Sequence, residues 1–165
     1  MPPFRFFIRL DAPTRPISPL IYGVNHGSAE QIRELGATLN RQGGNPYSRY
    51  NWLENVDNRG ADWFFESLPY ADVTPGTHAD RFVELTREAG AEPMLTMPMV
   101  GWVARAGPGR GKLASFSIAK YGPQTANDDA GFPDAGNGIR RWTRRPIQGN
   151  DPNDASRPAG PDFQQ

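Results

Sequence analysis

The spacing of apolar residues changes several times before Val103, and each change marks an element. Phe4 to Leu10 alternates weakly and is rich in aromatic and β-branched residues, which predicts a strand that Pro13, Pro16 and Pro19 end. Leu20 to Asn25 (LIYGVN) is a second apolar run, short enough for a buried strand. Ser28, with Gln31 three residues on, forms a capping box for a helix in which Ile32 and Leu35 share a face and Gly36 marks the end. Ala37 to Arg41 predicts the next strand, whose carboxyl end runs into Gly43 and Gly44. Asp62 to Ser67 reads as helical and Pro69 to Gly76 as loop. From Thr77, the segment THADRFVELTREAG predicts the clearest helix, with Phe82, Leu85 and Ala89 on one stripe, Asp80 in the first turn and Gly90 at the end. Glu92 to Met99 then predicts a strand.

Strand, helix, strand, long excursion, helix, strand is the rhythm of βα units around a parallel sheet, so the predicted class is α/β. After Val103 the pattern fades into a segment rich in Asp, Asn, Gly and Pro. Such composition reads as disorder, and it also fits a long loop region lying against the rest of a larger domain.

The candidate chemistry sits in RQGGNPYSRYNWLENVDNRGADW, Arg41 to Trp63. Two adjacent glycines allow a sharp bend at a strand end. Asn45, Arg49, Tyr50, Asn51, Trp52 and Trp63 are the mixture that recognises sugars, with flat rings for the apolar face of a pyranose and amides and guanidinium groups for its hydroxyls. A surface loop that pins two aromatics into the core is the competing reading.

Bulk properties narrow the partners. Eighteen basic residues balance eighteen acidic ones, so long-range field favours neither nucleic acid nor an anionic membrane, and neutral partners fit better. There is no cysteine for a disulfide or thiolate metal site. No stretch approaches the roughly 18 apolar residues of a membrane span, and MPPFRFFIRLD does not read as a signal peptide. The 18 glycines and 17 prolines suit long ordered loops.

Several blocks together carry a resemblance: IYGVNHG (Ile21 to Gly27), RQGGNPYSRYNW (Arg41 to Trp52), Asn58, ADWFFES (Ala61 to Ser67), MLTMPMVGWVA (Met94 to Ala104) and SFSIAKYGPQ (Ser115 to Gln124). In this order and spacing the chain resembles the amino-terminal part of a glycoside hydrolase family 44 catalytic module. The resemblance implies a retaining endo-acting enzyme on β-1,4-glucans such as cellulose and xyloglucan, secreted, with no required cofactor. It implies a (β/α)8 TIM-like barrel beside a β-sandwich: residues 1–15 would give the sandwich a strand, and residues 16–165 about the first three βα units, with the long loop region from about 104. A barrel of this type needs about 250 residues, so the chain is expected to be an incomplete copy. A stand-alone carbohydrate-binding module is the alternative.

Retaining hydrolysis needs two carboxyl groups about 5 to 5.5 Å apart. The family's acid/base lies in an Asn-Glu-Pro-like motif, which this chain lacks; Glu92-Pro93 is the nearest match but opens a strand, whereas barrel catalysis happens at carboxyl ends. No catalytic residue is therefore expected here. Asn25 and His26 follow the first predicted strand, Arg41 and Asn45 the second, and Gly101 and Trp102 the third, so all should face one mouth. The expected β-glucan-binding residues are Asn25, His26, Arg41, Asn45, Arg49, Tyr50, Trp52, Trp63 and Trp102. Glu54, Asp57 and Asp62 are expected to pair with Arg49 or Arg41. The run IRRWTRRP (Ile139 to Pro146) is expected to be a solvated loop and not a nucleic-acid site. NDDAGFPDAGNG and NDPNDAS carry the hard oxygen donors of a structural calcium site, without EF-hand spacing.

Overall fold

The computed structural model describes residues 4, 6–8, 11 and 13–164. Along the chain come β1 (Gly23–Asn25), α1 (Ala29–Leu35), β2 (Leu39–Gln42), β3 (Val56–Asn58), β4 (Glu66–Pro69), α2 (Thr77–Glu88) and β5 (Glu92–Leu95). They are followed by β6 (Trp102–Ala104), β7 (Leu113–Ala114), α3 (Ile118–Tyr121), β8 (Asn127–Asp128), β9 (Phe132–Gly136) and β10 (Ser156–Pro158). The class is mixed α/β.

The three strands expected to be parallel form one sheet in the order β1-β2-β5, with Asn25 beside Arg41 and Arg41 beside Met94. Parallel neighbours need a crossover, and α1 and α2 lie on the two connections. α1 starts as its sequence predicts: Ser28 Oγ accepts from the Gln31 N–H and Gln31 Oε1 accepts from the Ser28 N–H, while Gly36 ends the helix at a φ of 60°.

α2 packs on β5, but not on the predicted stripe. Thr86 is its one fully buried residue, Phe82 is half-buried and Leu85 is exposed. The cause is polar. Buried Asn40 on β2 donates from Nδ2 to Thr86 Oγ1 at 2.9 Å and accepts at Oδ1 from the Gly27 N–H at 2.9 Å, so a hydrogen-bonded residue takes the helix face nearest the sheet.

The excursion between β2 and β5 builds a second, antiparallel sheet, β3-β4-β7, in which β4 pairs with both neighbours. This corrects the expected helix over Asp62 to Ser67: Ala61–Trp63 form one 3-10 turn, Phe64 and Phe65 are both left-handed with φ of 47° and 53°, and β4 begins at Glu66. Two consecutive left-handed phenylalanines are strained; the bonds from Phe65 N–H to Gly60 O at 3.0 Å and from Ser115 N–H to Phe65 O at 3.3 Å hold them.

The region after Val103 is also folded, against the expected structureless loop. β6 pairs with β10, and β8 pairs with β9. Side chains hold it where periodicity is missing: Asn51 Nδ2 donates to Ala104 O at 2.8 Å, Ser67 Oγ to Ala155 O at 2.6 Å, and Gln124 Oε1 accepts from the Gly138 N–H at 2.6 Å. At the amino terminus, Phe4 and Phe6 to Ile8 are exposed and form no strand; Arg5, Arg9 and Leu10 of that expected strand lie outside the described residues.

Candidate functional site

β3, the loop before it and the chain around Asn150 surround a polar groove enclosing about 320 Å³, lined by Asn45, Arg49, Asn58, Arg59, Phe65 and Phe116 among others. The glycines place its floor. A Cβ on Gly60 would stand 2.2 Å from Asn45 Nδ2, so only glycine lets the Asn45 amide lie against that backbone. Phe65 meets Phe116 edge to face, with ring centroids 5.1 Å apart, and forms the apolar wall. Asn150 donates to Ser115 O at 3.3 Å, and Arg49 Nη1 donates to Ser156 Oγ at 3.3 Å. The groove therefore offers amides and guanidinium groups beside aromatic carbon, the arrangement that recognises a sugar ring.

Behind it runs a hydrogen-bonded line of rings. Tyr47 Oη lies 2.9 Å from His78 Nε2 and 3.4 Å from Tyr70 Oη; Tyr70 donates to Asp57 Oδ2 at 2.8 Å; and Asp57 Oδ1 accepts from Arg59 Nε at 3.0 Å. His78 stacks on Tyr70, with centroids 3.8 Å apart and planes at 15°. Burial raises the Asp57 carboxyl above its ordinary range, against the opposing pull of Arg59 and Tyr70. Burial, with the positive charges of His26, Arg59 and Arg81 adding to it, pushes His78 down to about 4.

The expected binding residues fall in different places. Asn45 and Arg49 share the groove. Asn25, His26 and Arg41 sit at the carboxyl ends of β1 and β2: the His26 N–H donates to Arg41 O at 3.0 Å, its ring stacks on Tyr47 at 5.0 Å, and the Arg41 guanidinium folds over Gly43, where a Cβ would stand 2.3 Å from it. Burial lowers the His26 pKa. Trp63 is 49% exposed, with the Arg59 guanidinium 5.5 Å from its ring centre. Tyr50 is buried and donates to Asn55 Oδ1 at 2.6 Å, and Trp52 donates to Phe163 O at 3.0 Å; both line a separate, apolar hollow with Gln42, Leu95 and Met97. Trp102 belongs to the β6–β10 ladder and not to the parallel sheet.

Two of the three acids have other partners than expected. Asp57 holds Arg59, and Glu54 holds Arg157 at 3.1 Å, in place of Arg49 or Arg41. Sequence reasoning missed Arg59, Asn58 and Asn150 as groove residues. Arg59 lay within the signature stretch, two residues from Asp57, whereas nothing local marks Asn150. In the Asp/Asn-rich segments, Asp128 and Asp151 accept from the N–H groups of Gly131 and Asn153, and no three His, Asp or Glu side chains converge as ligands among the described residues. Ile139 to Pro146 forms a hairpin with Trp142 79% exposed at its tip. Among the described residues no helix is long and apolar enough to cross a membrane.

The family model described as glycoside hydrolase family 44 matches residues 56–165. The chain belongs to glycoside hydrolase family 44. Among curated relatives, Endoglucanase A of Paenibacillus lautus is 32% identical over 114 residues, covering 61% of this chain and 15% of that protein. Beta-mannanase/endoglucanase A of Caldicellulosiruptor saccharolyticus is 30% identical over 108 residues, covering 59% of this chain and 8% of that protein. The crystal structure of CelM2, a bifunctional glucanase-xylanase protein from a metagenome library, matches with a TM-score of 0.86 and 49% identity over 91% of this chain and 29% of CelM2. The chain thus spans less than a third of the length of each.

Proposed function

We propose that this chain supplies the substrate-binding side of a retaining glycoside hydrolase acting on β-1,4-glucans, with the β1-β2-β5 sheet as the opening of a (β/α)8 barrel and the two catalytic glutamates in polypeptide outside these 165 residues. The groove that joins Asn45, Arg49 and Arg59 to Phe65 and Phe116 carries the reading. Family membership supports it, as does the glucanase-xylanase description of CelM2, of which the chain covers 29%. A polymeric substrate is met outside the cell, so the proposal includes secretion. A stand-alone binding module fits less well, because it leaves Met94, Leu95, Met97, Met99 and Val100 on and after edge strand β5 uncovered.

The test is calorimetric titration of the chain with a xyloglucan oligosaccharide, together with a reducing-sugar assay. Asn45→Ala is expected to weaken binding about tenfold, the effect of losing a well-placed hydrogen bond. The unaltered chain is expected to release no reducing sugar. Undiminished affinity in Asn45→Ala overturns the groove as the binding site, and clear hydrolysis overturns the placement of the glutamates elsewhere.

A further inference from the structure

Arg59 reaches the groove from a position set by residues that do not line it. Its Nε is held by Asp57 Oδ1, whose side chain is fully buried, and its guanidinium lies over Trp63. Asp57 is in turn fixed through its other oxygen by Tyr70, whose ring is clamped by the His78 stack and whose hydroxyl meets Tyr47. One edge of the guanidinium is therefore tied down. The two terminal nitrogens have no hydrogen-bond partner among the described residues. A guanidinium fixed at Nε presents its Nη pair in one plane and orientation, suited to two neighbouring hydroxyls of a sugar.

We propose that Asp57 and Tyr70 are positioning residues: through Arg59 they form, with Trp63, a glucosyl subsite at the end of the groove. This rests on the reading of the groove as the sugar site and adds the part that orients it. Two features separate the arrangement from a structural ion pair. The charge pair reaches from a buried carboxylate to an arginine side chain that is 30% exposed, so it holds a donor near the surface instead of filling the core. The ring under the guanidinium is itself half open to solvent, leaving carbon surface for a pyranose beside the fixed donors.

The experiment is titration of the chain with a xyloglucan oligosaccharide, followed by tryptophan fluorescence, for Arg59→Ala, Asp57→Asn, Tyr70→Phe and the Arg59→Ala/Asp57→Asn double variant, with Tm measured alongside. Arg59→Ala is expected to weaken binding about tenfold. Asp57→Asn is expected to reproduce most of that loss, and the double variant to add nothing further, because both changes remove one function. Tyr70→Phe, which keeps the ring stack, is expected to give a smaller loss in the same direction and carries the test if Asp57→Asn does not fold. Arg59→Lys should not restore affinity, since an ammonium cannot be tied at one edge and donate a planar pair from the other. Loss in Arg59→Ala with wild-type affinity in Asp57→Asn and Tyr70→Phe overturns the positioning role and leaves the groove intact. Wild-type affinity in Arg59→Ala, with loss in Asn45→Ala, removes the subsite alone. Wild-type affinity in Asn45→Ala as well defeats the groove reading and this inference together.

Discussion

The parallel sheet and the antiparallel excursion solve the burial problem in different ways. The excursion buries polar groups and satisfies most of them: Asn51, Asn55 and Asp57 are fully enclosed and hydrogen-bonded, Asn51 to Ala104 O on β6, while the buried Glu66 carboxylate faces Lys112 Nζ at 3.5 Å without a hydrogen bond among the described residues. The parallel sheet differs at its β5 edge, where Met94, Leu95, Met97, Met99 and Val100 face solvent and the buried Gln42 Nε2 beside them has no hydrogen-bond partner among the described residues. Apolar surface of that kind is normally covered by another element. The groove residues sit on the side rich in buried hydrogen bonds, which is why a polar groove can be shaped even where the neighbouring sheet presents bare carbon.

Three measurements sharpen or break this contrast. The largest effect is expected from Asp57→Ala, which strands the Tyr70 hydroxyl and the Arg59 guanidinium and should lower unfolding free energy by about 2 kcal/mol, read from the urea midpoint. A smaller effect comes with acid. His78 has its folded pKa lowered from 6.5 to about 4, so the folded chain binds fewer protons than the unfolded one between those values; stability is full above 6.5 and falls as pH drops toward 4. Replacing His78 by Gln, whose amide can hydrogen-bond Tyr47 in either sense, should flatten that limb and recover about 1 kcal/mol by about pH 5.5. Asp57, with its pKa raised, acts in the opposite sense, so only the difference between the two proteins isolates His78. The smallest change is expected from Met99→Lys, whose parent side chain is 83% exposed: unfolding free energy should move by less than about 0.5 kcal/mol while binding of a hydrophobic dye and aggregation both decrease. Equal losses for Asp57→Ala and Met99→Lys would erase the distinction between the regions.

Local signals were legible where local chemistry decides. The Ser28–Gln31 capping box, the left-handed Gly36 and the three parallel strands follow from short-range pattern, although the first strand, expected buried over Leu20 to Asn25, begins only at Gly23 after an exposed 3-10 turn at Pro19–Ile21. The predicted face of α2 failed because Asn40, 46 residues away, binds Thr86. The helix expected over Asp62 to Ser67 failed because β4 is claimed on both sides by β3 and β7, and such pairing outweighs propensity. The ordered chain beyond Val103 was invisible for a similar reason: its anchors are single side chains, such as Ser67 on Ala155 O across 88 residues, and leave no period to read. Of the groove, Asn45 and Arg49 could be found from residue type next to a glycine pair; Asn150 could not.

The bond from Arg49 to Ser156 joins residues 107 apart, and that from Trp52 to Phe163 joins residues 111 apart. On a translating ribosome, which adds about 5 to 20 residues each second, the loop holding Arg49 waits on the order of 10 seconds for its far partners to emerge. Until then Arg49 lacks its bond to Ser156, and a nascent-chain protease pulse should cut that loop before, and not after, Ser156 leaves the exit tunnel.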